Sequence, residues 1–142
     1  MAKKASGPPQ ILDGSRVVEY AVIPKSVQYA GHSGVFVDGK EVGPVPRLAI
    51  GEPVGDGEIP LFHCDDKWRV VGISSHPSIR QAKHRAERAY PGITDAWTDS
   101  GLPKVECSFC GRKSDQVQQM IAKENVRICD ICVRESYAKL IA

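Results

Sequence analysis

Four cysteines stand at a spacing that predicts metal binding. Cys107 and Cys110 form one C-x2-C pair, Cys129 and Cys132 form a second, and 18 residues separate the pairs, inside the range associated with zinc sites. A two-residue gap lets a tight turn aim both sulfurs at one point, and Gly111 lets the backbone reverse after the second. Two such knuckles supply the tetrahedral shell of four thiolates that a closed structural site needs. A redox dithiol would be one pair beside a βαβ unit, whereas the chain has two pairs and no such unit in its pattern. Iron also accepts four thiolates, so the ligands alone do not separate a rubredoxin-like centre from zinc. One structural zinc ion is the expected cofactor.

The remaining titratable residues predict no catalytic set. Cys64 follows Leu61-Phe62 in an apolar run, the ordinary setting of a buried cysteine. Asp65 and Asp66 adjoin a turn, where aspartate is favoured for local hydrogen bonding. His63 adjoins Cys64, while His32, His76 and His84 are scattered, and no pair of groups comes at a spacing that implies shared chemistry. The expectation is a protein that is not an enzyme.

Two units are needed to position the cysteines. Residues 1–14, rich in Lys, Gly, Pro and Ser, read as a flexible arm. Short β-type runs follow at 17–23, 35–42 with a hairpin turn at Asp38-Gly39, 47–50, and 60–73, the last broken at Asp65-Asp66-Lys67. Over 77–90 the period becomes helical, with Ile79, Ala82, Ala86 and Tyr90 on one face and Ser75 or His76 as the cap. The fold class is therefore α+β: a small antiparallel sheet with one helix over 15–95, then a linker over 96–104 in which Trp97 anchors the chain. In 105–142, Ser114 caps a short helix to Ala122, Asn125 turns, 126–128 form a strand, and a helix starts at the metal with Val133, Tyr137, Leu140 and Ile141 on one face. Last ligands at a helix N-terminus predict a treble-clef-like finger rather than a zinc ribbon.

Composition sets limits on partners and location. The net charge of +2 divides as 13 Lys and Arg against 12 Asp and Glu in residues 1–104, and 6 against 5 in 105–142. Four thiolates and a divalent ion would turn the second segment to −1. The basic footprint of a nucleic-acid module is missing, and no run approaches 18 apolar residues, so no membrane partner is expected. The first ten residues have Gly7, Pro8 and Pro9 in place of an apolar core, which predicts no secretory signal and a cytoplasmic location.

The segment Cys107-Ser108-Phe109-Cys110-Gly111-Arg112-Lys113-Ser114, with Val117, Ile121-Ala122, Val126, Ile128-Cys129-Asp130 and Cys132-Val133, resembles the C4 zinc-binding domain of the ClpX protein unfoldase. The resemblance covers about a quarter of the chain, and residues 1–142 hold no G-x4-G-K-[ST] phosphate loop to go with it. It implies a domain that dimerises and docks substrate proteins or adaptors. The partner is then a protein, either a second copy of the chain or a recruited one, met through an apolar surface of Phe109, Val117, Met120, Tyr137, Leu140 and Ile141. The alternative is a nucleic-acid-binding regulator that uses the finger together with the basic helix 77–90.

Overall fold

The computed structural model describes residues 7–53, 58–123 and 126–142. The strands of the first unit are β1 (Ile11–Leu12), β2 (Ser15–Val22), β3 (Phe36–Val37), β4 (Lys40–Glu41), β5 (Arg47–Gly51), β6 (Ile59–Cys64) and β7 (Val70–His76). They lead into helix α1 (Ile79–Ala89) and strand β8 (Trp97–Asp99), and β9 (Met120–Lys123), β10 (Val126–Cys129) and helix α2 (Asp130–Ile141) complete the order. One antiparallel sheet runs β1-β2-β5-β6-β7, with β8 also paired to β2, while β3-β4 and β9-β10 are separate hairpins. The Asp38-Gly39 turn falls where expected, with both residues at positive φ (53° and 79°).

The sheet is covered on both faces, which is why β6 is an uninterrupted buried run instead of an alternating one. Leu48, Ile50, Ile59 and Leu61 face α1 and pack with Ile79, Ala82, Ala86 and Tyr90. The alternate residues Ala49, Phe62 and Cys64 pack with Leu12, Val17 and Trp68 on the other side. Asp65 shapes the turn that brings Trp68 there: its carboxylate accepts from the Lys67 and Arg69 backbone N–H groups, at 2.9 Å each. Trp68 then meets Tyr20 edge-on at 5.7 Å, with the Arg47 guanidinium 5.1 Å from its ring.

Helix α1 begins two residues later than its periodicity suggests. Ser78, not Ser75 or His76, is the cap and accepts from Gln81 N at 3.1 Å, because β7 holds residues 70–76 in the sheet. At the other end Tyr90 is buried, and its hydroxyl accepts from Val45 N at 2.9 Å. Tyr90→Phe leaves that buried N–H without a partner, so urea unfolding of the variant should show a loss of about 1–3 kcal/mol.

Two boundaries differ from the sequence reading. Ile11 and Leu12, placed in the arm, form β1 against β2 through a turn at Asp13-Gly14. Residues 97–99, placed in the linker, form β8 on β2, and Trp97 packs on the core below Lys83 at 5.8 Å. The buried Glu19 of β2 gathers Lys83 of α1 at 2.7 Å and Lys104 at 3.4 Å, and Lys104 also meets Asp99 at 2.6 Å. Single-sequence patterns do not show the pairing of β8 with β2 or the ion pairs of Glu19 with Lys83 and Lys104, since these partners lie 64 to 85 residues apart. Among the described residues no helix is long and apolar enough to cross a membrane.

Candidate metal centre

The first knuckle is closed by Gly111 N donating to Cys107 O at 2.9 Å and Cys107 N donating to Arg112 O at 2.8 Å. Gly111 sits at φ 80°, a conformation that glycine adopts without strain. The second pair lies where β10 runs into α2: Cys129 is the helix cap, and its sulfur accepts from Cys132 N at 3.5 Å. Ser108 joins the two knuckles, its N donating to Arg127 O at 2.8 Å and its hydroxyl accepting from Arg127 N at 3.0 Å.

This framework brings all four sulfurs within 4.8 Å of one another. Cys107 and Cys132 are 3.8 Å apart, and Cys110 and Cys129 are 3.7 Å apart. Bonds of about 2.3 Å at tetrahedral angles put sulfurs about 3.8 Å apart, so the residues present fit zinc. With four protein ligands the shell is closed and the ion's chemistry is structural.

The electrostatics of the site also call for a cation. Burial pushes the Cys107 thiol up, but the backbone N–H groups of Cys129, Cys110 and Phe109 outweigh it and hold it at about 6. The exposed Cys110 is lowered, first by the Arg112 backbone, and the Arg112 guanidinium lies 3.4 Å from its sulfur. Cys132 is driven far up by burial and by the neighbouring sulfurs. Four thiolates this close cannot all ionise alone, whereas a divalent ion at their centre removes the conflict.

Between the knuckles the structure corrects the expected helix over 114–122. Only a single 3-10 turn forms, at Ser114–Gln116, and Met120–Lys123 is a strand paired with β10. The reason is tertiary. Ser114 does not cap its own segment; it is buried, with its hydroxyl accepting from Ile79 N of α1 at 3.1 Å. Asp130 accepts from Gln118 N and Gln119 N at 3.0 and 3.2 Å, which holds the chain extended. A one-turn helix has little intrinsic stability to set against these bonds. The expected turn at Asn125 lies outside the described residues.

The apolar residues assigned to a partner surface divide. Val117 and Met120 are buried with Cys107, Cys129 and Cys132 and form the small core of the module. Phe109, Tyr137, Leu140 and Ile141 are exposed, Leu140 at 83%. Elsewhere, Cys64 is fully buried and burial pushes its thiol up to about 12, as suits an unreactive core residue. Ser108, Ser114, Arg112 and Asp130 carry structural roles that their sequence neighbourhood did not reveal, because each acts on a residue distant in the chain or on a sulfur.

No solved structure matches the chain. The family model described as ClpX C4-type zinc finger matches residues 105–141. The match and the sulfur geometry together make that segment a C4 zinc finger of the ClpX type, built around one structural zinc ion.

Proposed function

We propose that the zinc finger is a non-enzymatic protein-interaction module that joins two copies of the chain, or recruits another protein, through the open face of α2. One observation carries this reading. Val133, Tyr137, Leu140 and Ile141 lie at helical spacing and are exposed, although an amphipathic helix in a monomer would turn them inward. The core of the finger consists largely of its own ligands, so the module has little apolar surface to cover that stripe itself. The resemblance to ClpX supports the same reading, because that family's zinc domain dimerises and docks proteins. The order of knuckle, hairpin and ligand-capped helix supports a treble-clef-like assignment, and the closed thiolate shell supports a scaffold role for the metal. A nucleic-acid role is less favoured, since the basic footprint of such a module is missing and Tyr90, at the end of the basic helix, is buried and offers no stacking surface.

Sedimentation velocity of the zinc-loaded chain tests the proposal. The expected result is a dimer at about 50 μM, an ordinary range for a small apolar interface, and a zinc-replete monomer for Leu140→Glu. A monomeric wild-type chain would remove the dimer. If affinity capture with the L140E variant as control then recovered no protein specific to the wild type, recruitment would fail as well.

A further inference from the structure

The α1-facing side of the sheet carries a second group of polar side chains, which the zinc finger does not use. In the β6–β7 register His63 stands opposite Gly72, Leu61 opposite Ser74 and Ile59 opposite His76. His63, Ser74 and His76 therefore share a face. His63 is 1% exposed, and neither ring nitrogen has a hydrogen-bond partner. His76 Nε2 lies 2.8 Å from Ser74 Oγ. Toward solvent, His76 joins Gln81, His84, Arg85 and Arg88 around a cleft of about 280 Å³.

The cleft is unbalanced in charge. Every titratable residue that lines it is basic, and no carboxylate does. Among the described residues, neither Arg85 nor Arg88 forms an ion pair. Nearby acids are engaged elsewhere: Glu87 accepts from Gly92 N and Thr94, and Glu41 accepts from Gly34 N. The Arg85 guanidinium lies against Gly34, which has φ 75° and where a Cβ would collide with it. Gln81 is oriented by a hydrogen bond from its Nε2 to Gln118 Oε1 of the zinc finger.

We propose that this cleft binds a single phosphate group, either inorganic phosphate or the terminal phosphate of a small phosphomonoester. Two guanidinium forks, two imidazoles and an amide line one cleft, a donor set that suits a tetrahedral oxyanion. A bound dianion also supplies the counter-charge that the cluster lacks. The cleft has room for a phosphate and a small organic remainder, and among the described residues no Phe, Tyr or Trp lines it, so a stacked polynucleotide has no platform there.

Calorimetric titration of the zinc-loaded full chain with inorganic phosphate, and separately with phenyl phosphate at matched ionic strength, tests the site. Saturable binding at one per chain is expected, weakened about tenfold by Arg88→Gln through the loss of one charge-assisted contact. Arg80→Gln, exposed and outside the cleft, should change affinity by no more than about twofold. Tighter binding of the ester would identify an ester ligand, and equal binding would identify the free ion. Amide shifts in the wild-type spectrum should concentrate at His76, Gln81, His84 and Arg85. The proposal is overturned by an absence of saturable heat, by equal effects of the two substitutions, or by an oligonucleotide that binds and that phosphate does not displace.

Discussion

Replacing Cys132 with serine should strip zinc from the chain and unfold residues 105–141 while the large sheet stays folded. Cys132 does two things at once: its sulfur completes the thiolate set 3.8 Å from Cys107, and its N–H fixes the first turn of α2 on the Cys129 sulfur. The apolar core of the finger, among the described residues, is Cys107, Val117, Met120, Cys129 and Cys132, so three of the five exist to hold the metal. A domain with so little apolar core depends on the ion, and structural zinc contributes about 10–16 kcal/mol to folding in peptides of this kind. Metal content should fall from one zinc per chain to near zero, and the far-ultraviolet helix signal of α2 should disappear. The first unit keeps its own core between the sheet and α1, losing chiefly the bond from Ile79 N to Ser114, about 1 kcal/mol. Cys64→Ser is the control that retains zinc. Unchanged metal content and dichroism in C132S would refute the metal centre.

Acid should destabilise the sheet well before its carboxylates protonate. Burial, aided by the charges of His76 and Arg85, depresses His63 from about 6.5 to about 4. In the unfolded chain the same imidazole takes up a proton near pH 6.5, so below that pH the unfolded state binds more protons than the folded one. Stability is therefore fully present above about pH 6.5 and is lost as the pH falls toward 4. The difference is worth roughly 3 kcal/mol for His63. His76 is lowered to about 4 as well, by burial and then by Arg85, but its partial contact with water reduces its share. Both tryptophans, Trp68 and Trp97, belong to the first unit, so their fluorescence follows the sheet even if acid also releases the metal. Urea midpoints between pH 7.5 and 4.5 should fall steeply for the wild type. For His63→Leu, which removes a ring without hydrogen-bond partners, they should fall much less. An equal slope in the two proteins would show that His63 is not the group responsible.

The two halves of the chain explain why parts of the fold were legible in the amino-acid order and others were not. Ligand identity, the Asp38-Gly39 turn and the apolar face of α1 are local properties, since thiol spacing, turn chemistry and a 3.6-residue period are complete within a few neighbours. The interval between the knuckles departs from its local pattern for the opposite reason. Ser114 looks like a cap and Val117, Met120 and Ile121 have helical spacing, yet Ser114 hydrogen-bonds to Ile79, Asp130 straightens residues 118 and 119, and β10 pairs with 120–123.

By itself the sequence determined the four metal ligands and a mixed strand and helix architecture, because those follow from short-range chemistry. Only the tertiary structure decided that Val117 and Met120 face inward while Tyr137, Leu140 and Ile141 face water, and that residues 97–99 close the sheet edge. It also decided that His76 from a strand meets Arg85 and Arg88 from a helix. Each of these depends on which distant backbone groups pair and which side chains compete for a small core, and no periodicity within one segment carries that information.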